Sequence, residues 1–242
     1  MSLAEGNAAK LYCVNLIDSL AGDKKASSIL DLGCGDARNF AALLRRHPHI
    51  RYLGVDPSRS ACEQARRALD GLNGEIVNGL AYDVRRGPFD VVVSFSVLEH
   101  VYRRRQYLDA VKANLAADGL VLINYDAGHF AALGTPGQQR VELWKSRIGK
   151  VFARFGRERY YQAIVRDADF RSLVEDVGLR IVEEKVFNTD LKSVYKAVPS
   201  ARRSDFMERW LAFELYLNTL DIGYRDELAP VFRTRNFVLA HS

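Results

Sequence analysis

The chain has 242 residues with a formal net charge of +5, and 48% of its residues are hydrophobic and 27% charged. This composition is typical of folded globular protein, and no apolar run reaches the roughly 18 residues that a membrane span needs. The excess of positive charge is mild and does not by itself indicate nucleic-acid binding. Cys13, Cys34 and Cys62 are odd in number and far apart, so we expect no disulfide framework, no metal site and a reducing, cytoplasmic location.

Short β-rich runs alternate with helical stretches after an amphipathic helix at residues 7–21. Strands such as the valine run 91–93 are apolar on both faces, as in a parallel sheet that helices cover. The pattern therefore predicts βαβ units with a ligand site at the carboxyl ends of the strands. Strands are predicted at residues 29–32, 52–55, 75–78, 91–95 and 120–124, and helices at residues 37–46, 58–72 and 105–116.

The regular alternation stops after residue 125, where insertions interrupt the predicted core. The first insertion predicts a loop followed by a helix that ends at Arg166. The second predicts a helix whose aromatic and leucine side chains recur at helical spacing, with Asp205 and Glu208 as its capping box. The core pattern returns with a helix predicted at 170–177 and strands predicted at 179–186 and 237–240.

The segment 29–37 (Ile-Leu-Asp-Leu-Gly-Cys-Gly-Asp-Ala) runs from a strand through a glycine turn into a helix. Gly33 and Gly35 permit a tight turn and let a ligand approach the backbone, with Cys34 between them as a small turn residue. A dinucleotide-binding turn would carry a third glycine where this chain has Arg38. Asp31 precedes the turn, and its carboxylate suits a ligand with positive charge and would repel a pyrophosphate.

Asp56 ends the next predicted strand, about twenty residues after the glycine turn, and Pro57 follows it. A carboxylate at this place can accept hydrogen bonds from both hydroxyls of an adenosine ribose. That geometry fits NAD and S-adenosylmethionine (SAM) equally well. The simpler alternative is that Asp56 only stabilises a turn before the proline.

Four segments in order carry a resemblance to a known family. The segment 31–35 resembles motif I of the class I, Rossmann-like SAM-dependent methyltransferases, and 54–57 (Gly-Val-Asp-Pro) resembles their ribose-binding strand end. The segment 89–101, with its Leu-Glu-His continuation, is similar to their fourth strand, and 115–122 is similar to the turn into their fifth. The chain departs from the pattern at Ala37, where motif I often has a third glycine.

The resemblance covers residues 28–126 and 167–242 and implies an α/β enzyme that uses SAM and releases S-adenosyl-L-homocysteine. It implies a doubly wound, mostly parallel seven-stranded sheet with a terminal antiparallel hairpin and helical lid insertions. The implied organisation is one domain, 1–242, with an N-terminal helix at 7–21, a SAM-binding core at 28–126, a helical lid insertion at 138–166, core continuations at 167–187 and 233–242, and a second helical insertion at 188–232.

The resemblance also implies the cofactor contacts. Asp31 would hold the amino group of the methionine moiety of SAM through the glycine turn, and Asp56 would bind the ribose of SAM. Leu80 stands where many relatives carry an acid that binds adenine, so stacking and backbone groups are expected there instead. The expected cofactor-binding residues are Tyr12, Asp31, Gly33, Cys34, Gly35, Asp56, Pro57, Leu80, Ala81, Phe95 and Ser96.

His100, Tyr125 and His129 are the candidate catalytic residues, because they follow the predicted fourth and fifth strands on the cofactor side. A histidine can act as a general base, since its ordinary pKa lies near neutrality. The alternative for His100 is structural support of its turn. Tyr125 and His129 lie where groups that face the substrate are expected.

Residues 140–166 are rich in lysine and arginine, and apolar residues from Trp144 to Phe155 recur at helical spacing. The pattern predicts a lid helix with a packed apolar face and a solvated basic face. The alternative is that some cations hold an anionic substrate, such as a carboxylate, a phosphate or a carrier-bound group.

The predicted reaction is in-line transfer of a methyl group to an O, N or C nucleophile of a small-molecule metabolite. RNA or protein methylation is the alternative that the basic stretch favours, although no appended nucleic-acid-binding module is recognisable. A non-catalytic SAM-binding regulator is a third hypothesis, and Arg38 disfavours a dinucleotide oxidoreductase. Neither a nucleic acid nor a membrane is expected as partner, and a homodimer stays open.

Overall fold

The computed structural model describes residues 7–127, 136–154, 161–188 and 191–242. Within these residues seven strands form one sheet in the order β3-β2-β1-β4-β5-β7-β6. The strands are β1 (Ser28–Leu32), β2 (Arg51–Asp56), β3 (Gly74–Asn78), β4 (Phe89–Phe95), β5 (Leu115–Asp126), β6 (Leu179–Phe187) and β7 (Thr234–His241). β1 to β5 are parallel, and β7 is antiparallel to β5 and β6. The predicted mostly parallel sheet with a terminal antiparallel hairpin is confirmed.

Helices cover both faces of the sheet. They are α1 (Ala8–Gly22), α2 (Arg38–Arg46), α3 (Arg59–Ala68), α4 (Arg104–Ala113), α5 (Pro136–Arg154), α6 (Asp167–Asp176), α7 (Leu191–Ala197) and α8 (Arg203–Asn218). None of these described helices has both the length and the hydropathy that crossing a membrane requires. The chain reverses its direction of winding at β1, which lies between β2 and β4. In open α/β sheets, ligands bind in the crevice that forms at such a point.

Two hydrophobic cores lie on opposite faces of the sheet. Ile29 of β1 packs with Phe40 of α2 in the first core, which also includes side chains of α1 and α3. Leu30, the next residue of β1, packs with Leu108 of α4 and Phe170 of α6 in the second. Successive side chains of a strand point to opposite faces, so a strand covered on both sides is apolar at every position. Coverage of the strands on both faces therefore explains the continuous apolar runs of the sequence.

The second insertion packs against the N-terminal helix. Trp210 and Met207 of α8 are buried with Leu11 of α1 and Phe187 at the end of β6. The indole Nε1 of Trp210 donates a hydrogen bond of 2.8 Å to the carboxylate of Glu214, which is itself buried. Burial of the indole therefore leaves its one polar atom satisfied. The insertion thus extends the core on the α1 side.

The helix of the first insertion begins and ends earlier along the chain than predicted. It was expected to continue to Arg166, but the chain at residues 161–166 is not helical. The backbone of residues 161–166 forms hydrogen bonds with neighbouring elements instead. The N–H of Ala163 donates to the carbonyl of Glu99 at 2.9 Å, and the Arg104 guanidinium donates to the Ala163 carbonyl at 3.1 Å. These tertiary hydrogen bonds replace the helical ones at this end of the insertion.

The predicted packed face of the lid helix is also wrong for the described side chains. Trp144 is 67% exposed and Val151 is 56% exposed, and Ile148 and Phe152 are exposed as well. Buried positions of α5 include the small residues Gly149 and Ala153. Phe155, the last member of the predicted stripe, lies outside the described residues.

The capping box predicted for α8 is not formed. The helix begins at Arg203, ahead of Asp205, and its N-cap residue makes no side-chain capping bond. The carboxylate of Asp205 accepts a hydrogen bond of 2.9 Å from Arg209, one helical turn later. The acid therefore stabilises the first turn through a surface ion pair and not through the backbone.

Candidate cofactor-binding site

Only glycine suits position 33, because the backbone there is left-handed and a side chain would have no space. Its φ is +83°, in the left-handed region, and its N–H donates to the carbonyl of Val55 at 2.7 Å. A Cβ at this position would lie 2.3 Å from Cγ2 of Val97. Only glycine therefore allows the end of β1 to turn beside β4 without moving its neighbours.

Gly35 differs from Gly33 because its surroundings are open. Its φ is +55°, and a Cβ would meet no atom of the described residues within 4 Å. Its N–H points to Asp56 and donates to Oδ2 at 3.0 Å. Cys34 lies between the two glycines, and burial raises the pKa of its thiol well above the usual range. The thiol is therefore a packing group of the turn, while Gly35 leaves room for a ligand.

Ala37 adopts a left-handed conformation with φ +56° at the N-cap of α2. Relatives with a third glycine would take this conformation without a steric penalty, whereas alanine pays about 1 kcal/mol or slightly more. Alanine in place of the third glycine of motif I therefore changes the residue at position 37 but keeps the shape of the turn.

Asp31 is a buried carboxylate, 3% exposed, at the end of β1. Among the described residues, the hydroxyl of Tyr52 donates to its Oδ2 at 2.7 Å. Burial raises its pKa from 3.8 to about 7, because the charged form loses water, and the charge of Asp56 adds to the effect. The Tyr52 hydrogen bond and Lys10 oppose the rise only in part. A cation placed beside Asp31 would restore the charged form.

Asp56 joins the glycine turn to the next βα turn. Its Oδ2 accepts from Gly35 N–H at 3.0 Å, and its Oδ1 accepts from Ser58 N–H at 2.8 Å. Pro57, which lies between Asp56 and Ser58, is exposed. The structural role that the sequence left open for Asp56 is therefore present. Each carboxylate oxygen has a second lone pair, so hydroxyl groups of a ligand can still donate to it.

The end of β4 forms the third side of the crevice. Ser96 has φ +57°, and its N–H donates to the Asn124 carbonyl at 2.8 Å. Phe95 is buried and stacks on Phe40, with ring centroids 6.1 Å apart. Non-glycine residues in the left-handed region cost stability and cluster at functional sites. The strained backbone at Ser96 therefore fits its predicted place beside a ligand.

Sequence reasoning missed two asparagines that hold this end of β4. Asn124 is buried, and its Nδ2 donates to Oδ1 of Asn236 at 2.6 Å. Asn236 in turn donates to the carbonyl of Ala9 in α1 at 2.8 Å. The chain of bonds ties β4, β5, β7 and α1 together. The available signal was an amide residue inside an otherwise apolar strand, since buried amides need partners.

Leu80 and Ala81 follow β3, on the far side of Asp56. Leu80 is 41% exposed, and Ala81 begins a single 3-10 turn that ends at Asp83. The N–H of Gly79 donates to the carbonyl of Asp56 at 3.1 Å, which fixes this loop beside the strand end of β2. The exposed side chain of Leu80 suits stacking against an apolar ring face, the contact expected at this position.

The two described candidates for catalysis differ in their surroundings, since His100 lies at the surface and Tyr125 in the core. His100 is exposed at the end of the 3-10 turn Leu98–His100, directly after β4. Tyr125 is fully buried in the second core, and its hydroxyl donates to Asp167 at 2.8 Å. It was expected after the fifth strand, but β5 continues to Asp126, and the side chain of Tyr125 packs in the core against Phe170 of α6. His129 lies outside the described residues.

Tyr12 of α1 points toward β6. Its hydroxyl donates to the carboxylate of Glu183, and its ring lies 5.9 Å from that of Phe187. Burial raises the pKa of Tyr12 far above its usual range, and Glu183 adds to the effect. The expected contact of Tyr12 with the cofactor stays a prediction.

Comparison with known proteins identifies the domain. Residues 30–121 match the family model described as "Methyltransferase domain". A trans-aconitate 2-methyltransferase of Deinococcus radiodurans is 25% identical over 219 residues, which cover 90% of this chain and 81% of that protein. A protein of the same name from Azoarcus sp. is 29% identical over 132 residues, or 51% of this chain, and the match spans only 48% of that protein.

A solved structure shares the fold. It is the O-methyltransferase of a trans-AT polyketide synthase multienzyme of Brevibacillus brevis, in complex with S-adenosyl-L-homocysteine. The TM-score is 0.55 at 17% identity, with 90% of this chain and 68% of that one covered. Residues 30–121 therefore match a methyltransferase domain, and the chain shares the α/β fold of an O-methyltransferase that binds S-adenosyl-L-homocysteine.

Proposed function

We propose that this chain transfers the methyl group of SAM to a nucleophilic atom of a small molecule, with S-adenosyl-L-homocysteine as the second product. The observation that carries the proposal is the pair of carboxylates at the glycine turn. Asp31 is buried at the end of β1, and Asp56 accepts the N–H of Gly35. Two acids at one turn disfavour a pyrophosphate and suit a ligand that has an ammonium, a sulfonium and a ribose.

The residues fit SAM at three points. Asp31 would hold the amino group, because a neighbouring cation favours the ionised form of a buried carboxylate. The open space at Gly35 would admit the ligand close to the backbone. Asp56 would accept the ribose hydroxyls with its remaining lone pairs, and Leu80 would contact the adenine.

The mechanism asks mainly for positioning. SAM supplies a methyl group that its sulfonium makes susceptible to in-line displacement. The chain's own residues orient the reactants and exclude water, which can contribute on the order of 7–11 kcal/mol. A general base is needed only for a nucleophile that starts protonated, and His100 is the described candidate for it. His129 stays a prediction for the same role.

We propose that the methyl acceptor carries carboxylates. The two relatives described above are named trans-aconitate 2-methyltransferases. Trans-aconitate has three carboxylates. An ionised carboxylate is itself a nucleophile at neutral pH, so its methylation needs no base. The helix α5 carries five lysine and arginine residues against one glutamate, which suits such an acceptor.

The remaining expectations also stay proposals. The three cysteines are free and buried, which fits the reducing cytoplasm that we propose as location. The arrangement as one domain over 1–242 and a homodimer are kept as predictions.

The test is a screen for S-adenosyl-L-homocysteine released from SAM by the full chain. We expect release with trans-aconitate or a related small polycarboxylic acid, and none with its trimethyl ester, which has no free carboxylate. The panel should include an RNA and a mixture of unmodified peptides. Release with RNA or peptides but not with small acids would contradict the small-molecule proposal. SAM binding without release on any substrate would favour the regulator hypothesis.

A further inference from the structure

One face of the lid helix α5 carries uncompensated positive charge. Arg147, Lys150 and Arg154 follow each other at helical spacing, and all three are exposed. Within the ranges that the structure describes, none of them forms an ion pair with a carboxylate. Other arginines do form such pairs, for example Arg235 with Asp167 at 2.7 Å. The three cations therefore remain available for an anion from outside the described chain.

These cations line a cavity. It has a volume of about 430 Å³ and is lined by Tyr102, Arg147, Lys150, Val151 and Arg154, which we call the cationic bay. Sites for small molecules span about 300–1,000 Å³ and combine apolar walls with a few polar groups. Here Tyr102 and Val151 provide apolar surface beside three positive charges. The bay therefore has the size of a small-molecule site, and its three positive charges suit an anionic ligand.

The floor of the bay is fixed to the core. The ring of Tyr102 lies 5.2 Å from that of Tyr161 in an edge-to-face arrangement, and Tyr161 is buried. The neighbouring N–H of Ala163 donates to the carbonyl of Glu99 at 2.9 Å. Tyr102 is thus held between the insertion and the turn after β4. A wall that is already ordered loses little entropy when a ligand binds.

The bay lies on the side of the sheet where the methyl donor is expected. Tyr102 follows the 3-10 turn Leu98–His100, which begins three residues after β4 ends. Ligands of open α/β sheets bind at the carboxyl ends of the strands. A molecule held by the bay would therefore reach the same edge of the sheet as the glycine turn.

We propose that the cationic bay binds the anionic groups of the methyl acceptor, a small molecule with at least two carboxylate or phosphate groups. The assignment rests on the proposed function. Arg147 and Arg154 offer planar forks that match carboxylate or phosphate oxygens in pairs, and Lys150 adds a point charge between them. Tyr102 and Val151 contact the carbon skeleton.

The test measures binding to the full chain by calorimetry at low salt, with trans-aconitate and inorganic phosphate as probes. We expect at least one probe to bind, and the double variant Arg147→Gln/Arg154→Gln to weaken it at least about tenfold, since each charged hydrogen bond contributes appreciably. Arg140→Gln is the matched control, because Arg140 is an exposed cation of the same helix outside the bay. It should leave the affinity within about twofold.

SAM binding, measured on the same variants, separates this inference from the proposed function. We expect the double variant to bind SAM as the wild-type protein does. If SAM binds but neither probe does, or if Arg140→Gln weakens the probes as much as the double variant, the bay is not the acceptor site. The inference would also be overturned if the wild-type chain bound a single-stranded RNA but neither probe, and if only the double variant lost that binding. Failure of the wild-type chain to bind SAM would overturn the proposed function instead.

Discussion

Replacing Gly33 with alanine is expected to lower the free energy of unfolding by about 2–5 kcal/mol and to abolish measurable SAM binding. The left-handed backbone costs a non-glycine residue about 1–2 kcal/mol. The added Cβ would lie 2.3 Å from Cγ2 of Val97, and forcing space in a packed site costs about 1–3 kcal/mol more. Val97 is β-branched and stiff, so it cannot turn aside cheaply. Chemical denaturation and calorimetric titration with SAM measure the two effects.

Gly71→Ala is the matched control for this substitution. Gly71 also has a positive φ, +70°, but a Cβ there would meet nothing within 4 Å, and it lies between α3 and β3, away from the glycine turn. It should show the backbone cost of about 1–2 kcal/mol alone and bind SAM normally. Equal destabilisation by the two substitutions, with SAM binding intact in both, would show that the contact with Val97 does not constrain the turn.

Replacing Asp31 with asparagine is expected to stabilise the protein without ligand and to weaken SAM binding at least about tenfold. Asparagine keeps an oxygen that can accept the Tyr52 hydroxyl, but it removes a charge that burial disfavours. The pKa of Asp31 rises from 3.8 to about 7 on folding. This rise of the pKa corresponds to a gain in stability of at most about 4 kcal/mol at pH 8 for the variant. Such an exchange of stability for binding is common at functional sites.

The sign of the pH dependence follows from the raised pKa. A carboxyl whose pKa is higher in the folded state contributes stability that is complete below pH 3.8 and is lost as the pH rises through about 7. The gain from Asp31→Asn should therefore vanish near pH 4 and grow toward pH 8. Over the same range, the SAM affinity of the wild-type protein should increase as Asp31 ionises, while that of the variant stays flat.

Asp90→Asn provides a control of opposite sign. Burial raises the pKa of Asp90, but hydrogen bonds from Ser27 and Ser28 outweigh burial and lower it below the usual range. The substitution should therefore destabilise the protein at pH 8 and leave SAM affinity unchanged. A loss of stability in Asp31→Asn at pH 8 would contradict the assignment of Asp31 as a buried acid held in place for a cation.

The sheet and the cofactor turn could be predicted from the sequence because their signals are local. Apolar runs marked β1 to β5, and the glycines marked the turn, since only glycine suits the conformation and the space at Gly33. Asp31 and Asp56 followed from their places at strand ends. The contacts that set their chemistry are not local: Tyr52 is distant from Asp31 in sequence, and its hydrogen bond appears only after β1 and β2 pair.

The insertions were harder to predict because tertiary contacts decide them. Residues 161–166 have a helical pattern, yet their hydrogen bonds go to Glu99 and Arg104. Tyr125 was placed at the site from its position after a strand, but β5 continues through it to Asp126 and turns its side chain into the core. The register of one residue thus decided which face a candidate side chain occupies.

The most direct measurement is a calorimetric titration of the full chain with SAM and, separately, with NAD. We expect SAM to bind and NAD not to bind. Asp56→Ala should raise the dissociation constant for SAM about 10- to 150-fold, the equivalent of 1.5–3 kcal/mol for hydrogen bonds to a charged group. Asp70→Ala, which removes an exposed carboxylate between α3 and β3, should not change it. Binding of NAD and not of SAM, or an unchanged affinity in Asp56→Ala, would contradict a SAM site at the glycine turn.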